Sequence, residues 1–135
     1  MRLSRLLAPR TVAYAHCDLP CGVYDPAQAR IEAESVKAIM EKYQQNEDPV
    51  FRTRCLIIKE ERAELVKHHL WVLWTDYFKP PHFEKYPQLH DLFNQATKQA
   101  GSAGGKGKVD PVEGQKLLDQ IDEIAKIFAE TKQAS

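Results

Sequence analysis

Apolar side chains recur at intervals of three and four residues in four separate runs after Pro26, and no run keeps the period of two that marks a strand. In the first run Val36, Ile39, Met40 and Tyr43 share a stripe. Asp25 stands before it as an N-cap, Pro26 takes the first helical position and Gln28 follows three residues after the cap, so the spacing predicts a helix to about Asn46. The second run, from about Phe51 to Trp74, places Cys55, Ile58, Leu65, Val66 and Leu73 at helical spacing. Pro80-Pro81 and Pro87 punctuate the link to a shorter third helix, near Gln88 to Ala100, with Leu89, Leu92, Phe93 and Ala96 on one face. Asp110-Pro111-Val112-Glu113 is a capping signature that opens a fourth helix lined by Leu118, Ile121, Ala125 and Phe128. Four amphipathic helices with mostly short connections predict an all-α fold, an antiparallel four-helix bundle. The glycine-rich run from Gly101 to Lys108 is not a phosphate loop, because Gly107 follows Lys106 where that motif needs Ser or Thr, and a helix precedes it; a flexible linker is expected.

Two charged residues interrupt the stripes. Glu32 lies four residues before Val36, and Arg62 lies between Ile58 and Leu65, so opposite charges on facing helices are expected to pair. His69 falls on the apolar side of the second helix and reads as a core histidine, and Cys55 as a small buried apolar side chain.

The chain has 135 residues, the length of one domain, and no apolar run approaches a membrane span, so no membrane partner is expected. Its 19 basic and 19 acidic residues balance, but unevenly along the chain. Residues 1–15 carry Arg2, Arg5 and Arg10 and no acid, which leaves residues 16–135 with 16 basic against 19 acidic side chains, a formal charge of −3. That excess gives no footprint for nucleic acid and no global attraction for an anion, so an anionic substrate would need local positive charge, for which Lys79 is a candidate. Within residues 1–15, Ala13-Tyr14-Ala15 has the A-x-A pattern of a cleavage site. Pro9 stops the apolar stretch Leu6-Leu7-Ala8 well short of the secretory length of about 7–15 residues, while an organelle transit peptide fits the composition. The expected organisation is a cleavable leader, 1–15, and a helical domain, 16–135, that begins with a hook, 16–24.

The hook, His16-Cys17-Asp18-Leu19-Pro20-Cys21-Gly22-Val23-Tyr24, sets two thiols and an imidazole within six residues. Thiolates are soft ligands, and amine, amide and imidazole nitrogens favour the tetragonal geometry of Ni(II) or Cu(II). A cut between Ala15 and His16 would free an amine. That amine, the Cys17 backbone nitrogen and the Cys17 sulfur would chelate one ion, with Cys21 completing a square plane and the His16 imidazole in reach of an axial position. The same spacing also fits half of a zinc site, a short-loop disulfide, or two plain thiols; no second Cys/His pair at zinc-finger spacing follows. Asp18 reads as support for the hook backbone, because a carboxylate is a hard ligand. Tyr24 is close enough in sequence to stand over the open face of a bound metal, although a core ring is the commoner role.

These residues, with Asp25-Pro26-Ala27-Gln28-Ala29-Arg30-Ile31-Glu32-Ala33-Glu34 and the run Trp74-Thr75-Asp76-Tyr77-Phe78-Lys79-Pro80-Pro81-His82-Phe83-Glu84-Lys85-Tyr86-Pro87, closely resemble the nickel-containing superoxide dismutases, from His16 nearly to the C-terminus. The resemblance implies an antioxidant oxidoreductase that disproportionates superoxide by Ni(II)/Ni(III) cycling, with one nickel ion per subunit held by His16, Cys17 and Cys21. It further implies that Glu32, backed by Arg62, and the Val23 carbonyl orient the His16 ring, that the Leu19-Pro20 bond is cis, and that Tyr77 joins Tyr24 in restricting substrate access near Asp18. A homohexamer and a dedicated leader-processing protease are implied as well, and a cytoplasmic location is expected. The alternative from another class is a non-catalytic nickel- or zinc-binding helical protein, which would need neither a free amine nor a defined cut.

Overall fold

The structure, a computed structural model, describes residues 21–134. The expected leader, the Ala15-His16 cut, His16, Cys17, Asp18 and the Leu19-Pro20 bond lie outside the described residues. Five helices follow in order: α1 (Ala27–Gln45), α2 (Pro49–Val72), α3 (Pro80–Lys85), α4 (Leu89–Ala100) and α5 (Pro111–Gln133). The four long ones form a ring in which α1 packs on α2 and α5, and α4 on the same two, which is the expected bundle.

Local chemistry sets the helix ends. Asp25 Oδ1 accepts the Ala27 N–H at 2.8 Å, Asp48 Oδ2 the Phe51 N–H at 3.0 Å and Asp110 Oδ1 the Val112 N–H at 3.0 Å, each satisfying a donor that a first turn leaves orphaned. Only residues 46–48 separate α1 from α2, so the chain must reverse there. Fully buried Val36 and Met40 on α1, Val66 and Leu70 on α2, Phe93 on α4 and Ile121 and Ile124 on α5 fill the centre. Gly114 permits the close approach of α5 to α1: a Cβ there would stand 2.8 Å from Lys37 Cβ.

Three expectations need correction. Ile58 is exposed, with Leu56 and Ile57 beside it; the buried side of α2 runs through Cys55, Lys59, Ala63, Val66 and Leu70. Buried Lys59 is not stranded among apolar groups: its Nζ donates to Gly105 O at 2.7 Å and Lys106 O at 2.6 Å, while burial lowers its pKa. Those bonds also overturn the flexible linker. Residues 101–108 wind back on the end of α4, with the Gly105 N–H on Gln99 O at 2.7 Å and the Lys106 N–H on Gly101 O at 2.9 Å. On α5 the core side is Leu117, Leu118, Ile121, Ile124 and Ile127, while Ala125 and Phe128 are only half-buried.

The connection after α2 positions the site. Helix α2 runs into a π-helical turn, Leu73–Tyr77, closed by the Phe78 N–H on Leu73 O at 3.0 Å, the five-residue spacing of a π-bulge. Phe78 is buried and anchors the exit. Helix α3 was not foreseen, because Pro80 and Pro81 read as breakers. In a first turn, where N–H groups have no intrahelical partner, proline is well suited. Among the described residues no helix is long and apolar enough to cross a membrane.

Candidate metal centre

Cys21, Gly22 and Val23 lead into α1 through a tight bend. Gly22 has φ +73°, a left-handed conformation that side chains disfavour. The Val23 N–H comes to 3.5 Å from Cys21 Sγ, and Sγ lies 3.8 Å from Val23 O. Both Cys21 and Val23 are exposed.

Tyr24 follows, and its ring lies 5.7 Å from that of Tyr77 at the end of the π turn. Phe128 of α5 backs Tyr77 at 4.4 Å between centroids. Tyr77 Oη is 2.7 Å from Thr131 Oγ1, and the Thr131 hydroxyl donates to Phe128 O at 2.7 Å. A hydroxyl has one proton, so the phenol is the donor to Thr131 and keeps its lone pairs as acceptors.

Gly22, Tyr24, Asp76, Tyr77, Lys79 and Lys132 enclose a cavity of about 340 Å³. Lys132 Nζ lies 5.2 Å from the centre of the Tyr77 ring, a cation–π contact that leaves the ammonium at the cavity wall. Among the described residues, two lysines and one aspartate line this wall. A second depression, about 280 Å³ between Pro49, Val50, Thr53 and Arg54, touches none of the described hook residues.

Of the residues singled out by sequence, the fold therefore gathers Tyr24, Tyr77 and Lys79 at one cavity, while Cys21 and Val23 flank its lining residue Gly22 along the chain. Glu32 and Arg62 do pair, across α1 and α2, with Arg62 Nη1 3.4 Å from Oε1 and 3.2 Å from Oε2, and Glu32 is the better buried partner. They stand apart from the residues that line the cavity. Cys55 is buried as expected, and His69 is only half-buried, its ring 5.5 Å from that of His68. Sequence reasoning missed Lys132, Asp76 and Thr131. Asp76 was within reach of the Tyr77 motif, but nothing in the spacing ties α5 to the hook.

The donor chemistry fits a late first-row metal only in part from the described residues. Cys21 supplies one soft sulfur, and no group of three His, Cys, Asp or Glu side chains lies together among the described residues. The nitrogen donors and second sulfur expected of His16 and Cys17 lie outside the described residues.

Comparison with known proteins gives a consistent result. The family profile for nickel-containing superoxide dismutase matches residues 11–132. The superoxide dismutase [Ni] of Streptomyces coelicolor is 66% identical over 132 residues, which cover 98% of this chain and 99% of the relative. That of Streptomyces seoulensis is 65% identical with the same coverage. The native nickel superoxide dismutase structure at 1.30 Å superposes with a TM-score of 0.84 at 66% identity, covering 87% of this chain and 99% of its own. An apo structure gives 0.80 at 64% identity, covering 83% and 99%.

Proposed function

The chain belongs to the nickel-containing superoxide dismutases, its activity is the nickel-dependent disproportionation of superoxide to dioxygen and hydrogen peroxide, and we propose that His16, Cys17 and Cys21 hold the metal beside the cavity of Tyr24, Tyr77, Lys79 and Lys132. One nickel ion per subunit supplies reversible one-electron exchange between Ni(II) and Ni(III). The first superoxide gives up an electron and leaves as dioxygen; the second takes one electron and two protons and leaves as hydrogen peroxide.

The protein's part is donation, orientation and access. His16 offers its amine and imidazole, Cys17 its backbone nitrogen and sulfur, and Cys21 its sulfur, toward which the Val23 N–H is directed. Glu32, oriented by Arg62, accepts the ring N–H of His16, and the Val23 carbonyl helps to hold the ring. Tyr24 and Tyr77 narrow the approach to small molecules. With its proton committed to Thr131, Tyr77 receives hydrogen bonds from water or a protonated product. Lys79 and Lys132 draw the anion in, while Asp18 supports the hook near that entrance.

We take residues 1–15 to be a leader removed by a protease between Ala15 and His16. The coverage contrast supports this: two relatives match 98% of this chain, while the native crystal structure, with 99% of its own length used, accounts for 87%. Ile31, Leu56 and Ile57, all exposed on α1 and α2, support association of subunits, which we read as a homohexamer acting in the cytoplasm. The single observation that carries the site is the meeting of the tyrosine pair and two lysines at one cavity whose lining includes Gly22, the residue after Cys21.

The test compares the chain with and without residues 2–15, the shorter form freed of its initiator methionine, for nickel stoichiometry and superoxide turnover. The cut form should bind one nickel per subunit and turn over; the uncut form should do neither. An uncut chain that binds nickel and works as fast would end the free-amine assignment.

A further inference from the structure

The bend between the π turn and α3 carries two walls of the cavity, Tyr77 and Lys79, on either side of buried Phe78. Lys79 is the N-cap of α3, and the two residues after it are prolines. Its own N–H therefore has no place in a helical ladder, and α3 has few donors of its own to anchor it.

His82 resolves this. It occupies the third helical position, from which a Glu or Gln side chain normally reaches back to the cap. Here the imidazole does so: the Lys79 N–H donates to His82 Nδ1 at 3.0 Å, while the His82 N–H donates to Lys79 O at 2.9 Å. Acceptance at Nδ1 places the ring proton on Nε2. The same ring lies nearly parallel to Tyr77, 5.8 Å between centroids and 13° between planes, and edge-on to Phe78 at 5.7 Å. One half-buried side chain thus touches both residues that flank the bend and the residue that anchors it.

We propose that His82 is a positioning residue for superoxide access, holding Lys79 and the Tyr77 ring at the cavity wall through its Nδ1 acceptor and its ring face. The acceptor is the decisive part. Tyr77 has other supports in Thr131, Phe128 and Lys132, whereas the only bond shown for the Lys79 N–H is to Nδ1. Without it the cap has to turn to water, and the charged stem that follows loses its register with the cavity. The inference rests on the reading of Lys79 and Tyr77 as access residues.

Two variants of the nickel-loaded enzyme separate ring from acceptor. His82→Phe keeps an aromatic face and removes the acceptor; His82→Asn places a carbonyl oxygen close to the Nδ1 position and removes the ring. Amide hydrogen exchange at Lys79 and the second-order rate constant with superoxide are measured in both, with nickel content as a control. In His82→Phe, exchange at Lys79 should quicken about tenfold and the rate constant at low ionic strength should fall about threefold, with nickel content unchanged. His82→Asn should restore both to within about twofold of wild type, a rescue that a merely structural ring would not give. Wild-type exchange and rate in His82→Phe overturns the proposal, and so does a His82→Asn variant as impaired as His82→Phe. A Lys79→Gln variant with the wild-type rate, alongside faster exchange in His82→Phe, would instead sink the reading of Lys79 on which the inference rests.

Discussion

Removing the positive wall of the cavity should slow capture of superoxide in a way that salt erases. A sphere of the cavity's volume, about 340 Å³, is about 9 Å across, so an ammonium at the wall comes within about 6 Å of an anion passing through. At that distance a unit charge in a water-like dielectric is worth about 0.7 kcal/mol, or about threefold in local concentration. Lys79→Gln and Lys132→Gln should each lower the second-order rate constant about threefold, and the double variant about tenfold. Lys132→Arg, which keeps the charge and the contact with the Tyr77 ring, should stay within about twofold. The assay is pulse radiolysis or stopped-flow decay of superoxide at about 10 mM and about 1 M ionic strength, where the screening length drops from about 30 to about 3 Å. At high salt the variants should converge on the wild type. A loss that salt leaves unchanged, or Lys132→Arg as slow as Lys132→Gln, would refute steering and make Lys132 a prop for Tyr77.

The remaining expectations are briefer. Cys17→Ser or Cys21→Ser should abolish nickel-dependent turnover with helical circular dichroism intact, while Cys55→Ser keeps most of it; equal losses in all three would defeat the two-thiolate assignment. Glu32→Ala or Arg62→Ala should lower turnover more than nickel content and alter the Ni(III) electron paramagnetic resonance signal, with a stability loss of about 1–2 kcal/mol because the pair is only partly buried; wild-type spectra and rates would make the pair purely structural. Glu113 receives hydrogen bonds from Gln99 at 2.7 Å, Lys116 at 3.0 Å and Lys108 at 3.3 Å, which hold its carboxyl down to about 2 from the ordinary 4.5. A folded value below the unfolded one contributes stability above about pH 4.5 that is lost as pH falls toward about 2. The melting temperature of wild type should therefore exceed that of Glu113→Gln at pH 6, and the gap should close on acidification; a constant gap would show that ionisation is irrelevant.

Periodicity and capping made the four long helices legible: Asp110 announces the first turn of α5 and the chain obeys it, while at α1 the cap falls one residue later than expected, at Pro26, with Asp25 accepting the Ala27 N–H. What stayed hidden has a common physical origin in partners distant along the chain. Lys59 reads as surface until two carbonyls 46 and 47 residues away are seen to receive its ammonium, and the same contact turns an apparent linker into an ordered loop. The same contact bears on the rotation of α2: hydropathy counts Ile58 inward, and a satisfied buried donor at Lys59 turns Ile58 to the surface. At the site the thiols and tyrosines were visible because they sit in one short motif or in a second that matches the same family. Lys132 and Thr131 belong to neither, and only the packing of the last turn of α5 against Tyr77 reveals them.

The division of the site between hook and bundle has a consequence for maturation. The Tyr77 phenol is fixed by Thr131, its ring by Phe128 and His82, and the Lys79 cap by His82, and every one of these partners lies on the bundle or its connections. The bundle side of the cavity is thus held by helix packing, and the proposed cut after Ala15 would add the amine that the proposed ligand set needs. Preorganising the wall confines the ordering cost of nickel binding to the hook. On the proposed ligand set, the redox ligands precede α1 in the chain, while Tyr77 and Lys79 of the access path stand on the connection that the bundle holds.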